Sequence, residues 1–411
     1  MIPVYRGRRL EGRKQCCEGI HRGATPETTF ARLRPHFDHL NLTRISNITG
    51  LDRIGIPVTL AIRPNSPDIG TNSGKGLTIE AANASAAMEA FEHHCGEHPE
   101  VECTVDSYES LRRSVAMIPL DRLALSKYSL FHTALPERWC FGWDLLSAEE
   151  TATPYDLVGV HYPSKFSPSS MSSFQSGTNG LAAGNSLAEA VTSALMEVVE
   201  RDSRACHFHA ENASGRFAPL LRLEGISSPA VTELIERLDS ADTELYIFDI
   251  TTDLQIPTFE AVIFDRRTRE SLVGRGWGAH LDVETALLRA ITEAAQVRLV
   301  HIAGIREEAF RRYYEMWKTQ DCSAFRRDCA ATKAYRSADE INSIRNETFE
   351  ADIGVVLERL VRAGIEQVIV FDLTPRGIDL AAVRVIVPGL EGYLYEFYMP
   401  GKRAAGFGAI V

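Results

Sequence analysis

The sequence predicts a mixed α/β fold of α+β-like character, assembled from pseudo-repeated β-hairpin plus helix units. Three observations predict it. Shifting Gly76–Glu92 by 108 residues superposes it on Gly184–Glu200 with seven identities: Gly76/Gly184, Ala82/Ala190, Ser85/Ser193, Ala86/Ala194, Met88/Met196, Glu89/Glu197 and Glu92/Glu200. A second repeat lies in YIFDITTDLQIPTFEAVIFD (246–265) and VIVFDLTPRGIDLAAVRVIV (368–387). Each reads as a β-branched strand, an Asp/Thr/Gly turn and a second strand, with a weaker third copy, RISNITGLDRIGIPVTLAIRP, at 44–64. Third, Ala-rich stretches of helical spacing alternate with these strand pairs. The short turns inside the pairs favour antiparallel or mixed pairing.

Taken in order, the basic run from Arg6 to Lys14 reads as a solvated N-terminal arm. SGKG at 73–76 and TNGLAAGN at 178–185 read as glycine-rich turns, each feeding an Ala-rich helix. Between them, the Ser-rich segment 163–179 has the composition of a mobile loop. Val283–Val300 has the same helical texture and carries Glu293 and, three residues later, Gln296. The strongly charged stretch 305–345 reads as exposed helix with breaks.

With 411 residues, 45% of them hydrophobic, the chain is of ordinary globular composition and long enough for a sizeable core. Its net charge of −11 provides no drive toward a polyanion, so nucleic acid is not an expected partner. Eight cysteines make neither a disulfide framework nor a CxxC zinc pair and read as reduced thiols. No apolar run approaches the roughly 18 residues of a membrane span, and the N-terminus lacks a signal peptide's apolar segment. The expectation is a cytoplasmic protein without a membrane partner.

Residues three apart on a helix share a face, so Glu89 and Glu92 project together, as do Glu197 and Glu200. An isolated Glu-x-x-Glu is usually a solvated surface pair. Duplication behind a glycine-rich segment at the same offset sets a metal site beside the solvated face as an equal alternative. If the repeated helices face one another, four carboxylates converge, and Glu293 adds a fifth; such an oxygen-only set suits Mg²⁺ bearing a nucleotide's phosphates. Arg201 and Arg289 supply positive charge in sequence proximity. Lys75 follows a GxxxG spacing, but Gly76 stands where a P-loop needs Ser or Thr, so a Walker A reading fails. His93–His94–Cys95, on different helix faces, reads as structural, and His207 and His209 have no partner at ligand spacing. Trp143 and Trp277 read as core. His280 is either a helix cap or close to the site.

Three blocks, SGKGLT…SAAMEAFE (73–92), NGLAAGNSLAEAVTSALMEVVERD (179–202) and ALLRAITEAAQVR (286–298), resemble the YcaO family. The resemblance covers roughly residues 50 to 390. It implies an ATP-grasping fold in which residues 1–50 complete the nucleotide site, 51–390 form the catalytic domain and 391–411 a tail. By the same resemblance Glu89, Glu92, Glu197, Glu200 and Glu293 match the Mg²⁺-holding glutamates. Arg22, Asn185, Glu189, Arg201 and Arg289 match positions that contact ATP, while Ala182 falls where some relatives have a nucleotide-contacting Ser. Glu197, Glu200 and Arg201 would carry the catalysis. The implied chemistry is ATP-dependent O-phosphorylation of a backbone amide of a peptide or protein substrate.

Many azoline-forming relatives end in a proline-rich tail, whereas this chain ends KRAAGFGAIV. TGLDRIGIPVTLAIRPNS (49–66) and the SGKGLT start look similar to the subgroup that works with a TfuA partner, which implies thioamide formation with a TfuA-like sulfur-delivery protein. An azoline-forming cyclodehydratase and a non-catalytic, ATP-gated peptide scaffold are the competing readings. Relatives are often homodimers.

Overall fold

The structure is a computed structural model that describes residues 3–17, 20–67, 69–126, 129–160, 172–267, 273–305, 322–392 and 400–407. In chain order the elements that position the site begin with β1 (Arg44–Asn47), β2 (Val58–Ile62), β3 (Thr71–Lys75) and helix α1 (Ile79–Glu97). There follow β4 (Cys103–Ser107), β5 (Pro136–Asp144), β6 (Glu149–Pro154), β7 (Leu181–Gly184) and α2 (Leu187–Ser214). Next come α3 (Pro229–Ser240), β8 (Thr243–Asp249), β9 (Thr258–Asp265), β10 (Gly274–Ala279) and α4 (Val283–Ala303). The chain closes with α5 (Phe349–Arg362), β11 (Ile369–Asp372), β12 (Ala381–Ile386) and α6 (Lys402–Phe407).

The chain divides into two compact units: Met1–Lys14, Phe91–His209 and Asn346–Val411 form the first, and Gln15–Ala90 with Ala210–Arg345 the second. The second unit contains the repeat in its plainest form. β1, β2 and β3 make an antiparallel meander that runs into α1, and β8, β9 and β10 make another that runs into α4. β9 is buried along its whole length, and Ile247, Phe259, Ala261, Leu287 and Ile291 build a core closed to solvent. In the first unit the described sheet runs β7–β12–β11–β5–β6 and ends on the short strand Ala116–Met117, with β4 paired to β5. All three predicted hairpins are present as antiparallel pairs: β1 with β2, β8 with β9, and β11 with β12.

Two expectations change. Residues 73–75 end strand β3 and Leu181–Gly184 are the whole of strand β7, so of the two expected turns only residues 179–180, just ahead of β7, form one. The strand glycines answer to crowding: a Cβ on Gly74 would stand 2.0 Å from the Ala86 backbone nitrogen, and one on Gly184 2.6 Å from that of Ala190. The duplicated pair keeps the contact, because a Cβ on Gly76 would meet the nitrogen of Ala82 at 2.9 Å. The N-terminal arm is also only partly solvated. Arg8 and Arg9 are exposed, but the Lys14 ammonium is buried in an ion pair with Asp352 of α5. The loop expected over 163–179 lies outside the described residues up to 171, as does 306–321 of the charged stretch.

Candidate functional site

Both acidic helices begin alike. The hydroxyl of Thr78 accepts from the Ala81 N–H at 3.2 Å, and that of Ser186 accepts from the Glu189 N–H at 3.2 Å. Thr78 and Ser186 are separated by the same 108 residues as the glutamates, so cap, glycine contact and carboxylates form one duplicated unit.

In the second unit, strand β3 organises the acidic groups. The Ser73 N–H donates to Glu89 Oε1 at 3.4 Å, and Lys75 Nζ pairs with Glu293 Oε2 at 2.9 Å. From α4, Gln296 Nε2 donates to the carbonyl and the hydroxyl of Ser73, both at 2.7 Å. Glu89 and Glu293, 204 residues apart in sequence, are thereby tied to one strand. Arg22 lies on the short strand Ile20–Arg22, opposite Gln15, and Arg289 stands one turn before Glu293 on α4.

In the first unit Glu92 Oε2 accepts the Ala183 N–H of β7 at 3.0 Å. The Asn185 N–H and Nδ2 donate to Glu189, which is buried, and Arg201 lies 3.5 Å from Glu197 across one helical turn. Glu200 is only 5% exposed, a depth at which a carboxylate persists only with polar or cationic company. Directly behind it Asp202 is fully buried; burial pushes its carboxyl up to about 6, opposed by Arg403 of α6 and by the Glu391 N–H.

The donor chemistry fits Mg²⁺ with a triphosphate. Every predicted ligand is a carboxylate, and three acidic side chains are already oriented by backbone N–H groups: Glu89, Glu92 and Glu189. Among the described residues no three His, Cys, Asp or Glu side chains are arranged to hold a metal by themselves. Mg²⁺ needs no such cage, because it usually keeps waters and takes substrate phosphates beside one or two carboxylates. Lys75 meanwhile supplies Glu293 with a counter-charge.

His93, His94 and Cys95 are buried, Trp277 belongs to a core cluster, and Trp143 is half-buried with its indole N–H donating to the Val4 carbonyl. His280 stands ahead of α4, where its Nδ1 accepts the Asp282 N–H. Ser73, Lys75 and Ala183, which hold the candidate side chains through the contacts above, have no assignment from the sequence. Lys75 carries a sequence signal, a cation at the start of the duplicated block, that points to an acidic partner independently of any P-loop.

Residues 73–391 match the family described as YcaO cyclodehydratase, ATP- and Mg²⁺-binding. The chain belongs to the YcaO family. ATP and Mg²⁺ are the cofactors of YcaO proteins and of this chain. A relative from Rhizobium leguminosarum bv. trifolii, named an uncharacterized protein in the tfuA 3' region, is 37% identical over 397 residues, covering 93% of this chain and 92% of its own. An uncharacterized protein of Methanothermobacter thermautotrophicus is 34% identical, covering 92% of this chain and 97% of its own. Among solved structures, YcaO from Methanopyrus kandleri bound with AMPPCP and Mg²⁺ superposes with a TM-score of 0.73 at 25% identity, over 95% of this chain and 99% of that one. A heterocyclase in complex with substrate and cofactor superposes with a TM-score of 0.79 at 23% identity. That match covers 97% of this chain, which spans 56% of the heterocyclase, and it shows the shared YcaO fold. Among the described residues no helix is long and apolar enough to cross a membrane.

Proposed function

We propose that this protein uses ATP to activate a backbone amide of a peptide or protein for thioamide formation, in the cytoplasm and with a TfuA-like partner delivering sulfur. Residues 1–50 complete the nucleotide site through Arg22, 51–390 form the catalytic domain and 391–411 the tail. Glu89, Glu92, Glu197, Glu200 and Glu293 hold Mg²⁺, which neutralises phosphate charge. Arg22, Asn185, Glu189, Arg201 and Arg289 bind ATP. The observation that carries this reading is the duplicated unit of cap, glycine contact and paired glutamates within an ATP- and Mg²⁺-binding family.

The chemistry follows from the amide. Its oxygen is a poor leaving group, so a nucleophile's attack on the carbonyl carbon is productive only if the oxyanion is then phosphorylated and departs as phosphate. Arg201 and Arg289 offset the charge that develops on the transferring group. Sulfide as nucleophile leaves a thioamide. The relative named for the tfuA region, similar over nearly the whole chain, supports sulfide over an internal Cys, Ser or Thr.

The fold shared with a heterocyclase supports an azoline product as the second reading. Product mass decides between them: a thioamide is about 16 Da heavier than the amide, an azoline about 18 Da lighter, both from the same activated carbonyl. With peptide, sulfide and partner supplied, the intact chain should release phosphate, and Glu197→Gln or Glu200→Gln should lower the rate at least about 100-fold through lost metal charge. Absence of phosphate release under all combinations would leave only a binding scaffold.

A further inference from the structure

Cys103, at the start of β4, stands directly across the antiparallel ladder from Cys140 on β5. Both are free thiols, Cys103 exposed and Cys140 buried. Opposed residues in such a ladder hold their Cβ atoms about 4.5–5.5 Å apart, at the edge of the roughly 3.5–4.5 Å that a disulfide spans. Here the two sulfurs are already 2.7 Å apart. Arg138, two residues before Cys140, points to the same face of β5 and places positive charge near Cys140, opposing in small part the effect of burial on that thiol. Burial and the neighbouring Cys103 push the Cys140 thiol well above its ordinary value, so the exposed partner meets a dissolved oxidant first.

We propose that Cys103 and Cys140 form a reversible dithiol–disulfide site that responds to hydroperoxides. The Cys103 thiolate attacks one peroxide oxygen; the O–O bond breaks, the S–O bond forms, and hydroxide leaves. The Cys140 thiol then attacks the sulfenic sulfur. The S–S bond forms as the S–O bond breaks, and the hydroxyl leaves as water with the thiol proton. Two electrons pass from the dithiol to the peroxide, and a thiol reductant returns them by exchange through a mixed disulfide. Closure fastens β4, the strand that follows α1, to β5. Disulfides that form in a reducing compartment are usually transient and catalytic or redox-sensing.

The test treats the folded full-length protein with hydrogen peroxide near stoichiometry, blocks remaining thiols by alkylation and maps an unreduced digest. The expected result is a cross-linked peptide pair containing Cys103 and Cys140, the loss of two alkylatable thiols, and full recovery of both with dithiothreitol. In Cys140→Ala the same treatment should leave a sulfenic acid on Cys103 that dimedone traps. A wild-type digest in which Cys103 stays reduced, stops at sulfenic acid, or links to another cysteine or another copy of the chain would overturn the proposal. The wild-type map suffices should the variant fail to fold.

Discussion

Gln296 uses one amide nitrogen to satisfy both oxygens of Ser73, and it does so with 8% of its surface exposed. Replacing it by leucine leaves a carbonyl and a hydroxyl without that donor. Gln296→Leu should cost about 1–3 kcal/mol, seen as a lower urea midpoint, and should weaken Mg-ATP binding because the strand that tethers Glu89 and Glu293 loses its anchor. Calorimetric titration checks the second part. Lys75 shows the opposite balance. Its pair with Glu293 leaves both side chains about a quarter exposed, at 24% and 23%, so solvent screens it and its contribution to stability is small. Its importance lies in charge: it keeps the Glu293 carboxylate, proposed above as a metal ligand, from standing uncompensated.

At the scale of the element, α4 depends on how closely it lies on β10. A Cβ at Gly276 would come within 2.1 Å of the Ala294 nitrogen and 2.4 Å of the Ala290 carbonyl oxygen, both main-chain atoms that cannot swing aside. Gly276→Ala should therefore destabilise by about 3 kcal/mol, the upper end of ordinary overpacking costs, whereas Gly50→Ala, with nothing within 4 Å of its added carbon, should not. Thermal melts of the two variants side by side measure the difference. The start of α4 adds a pH dependence. Burial pushes Asp282 up, but Arg345, Thr285 and Ser343 outweigh it and hold the carboxyl below its ordinary value of 3.8. The unfolded chain thus binds the proton more readily. The stabilisation is complete above pH 3.8 and is lost as pH falls through the lower folded value. Urea midpoints should fall more steeply with acid below that point in the wild type than in Asp282→Asn.

The hairpins were legible because β-branched runs flanking a turn are a local signal. The paired glutamates were legible because helical spacing is equally local. The reason for the glycines was not, since it arises from a tertiary approach that no window of sequence contains: Gly74 and Gly276 have φ in the ordinary range and are small because a helix backbone touches them. The Lys75–Glu293 pair spans 218 residues, beyond the reach of any motif.

At the scale of the whole molecule, neither compact unit is a contiguous piece of chain, and the first draws on both ends and the middle. Cofactor response is therefore best read on the intact protein. Because the described carboxylates form no metal cage by themselves, Mg²⁺ alone at millimolar concentration should leave the melting temperature unchanged. Mg²⁺ with ATP at about 100 times its dissociation constant should add about 2.7 kcal/mol, a shift of a few degrees in differential scanning fluorimetry. An equal shift with Mg²⁺ alone would show a preformed cation site and sink the nucleotide-dependent scheme.

The close seating of α1, α2 and α4 on their glycine strands bears on how this protein can be altered. Where two backbones already touch, the point from which an acidic side chain leaves the helix is set by main-chain geometry. A mutagenesis campaign would do best to freeze residues 74, 76, 184 and 276 and spend its diversity elsewhere, because a methyl group at any of them meets a helix backbone nitrogen within 3 Å and forces one of the two elements to shift.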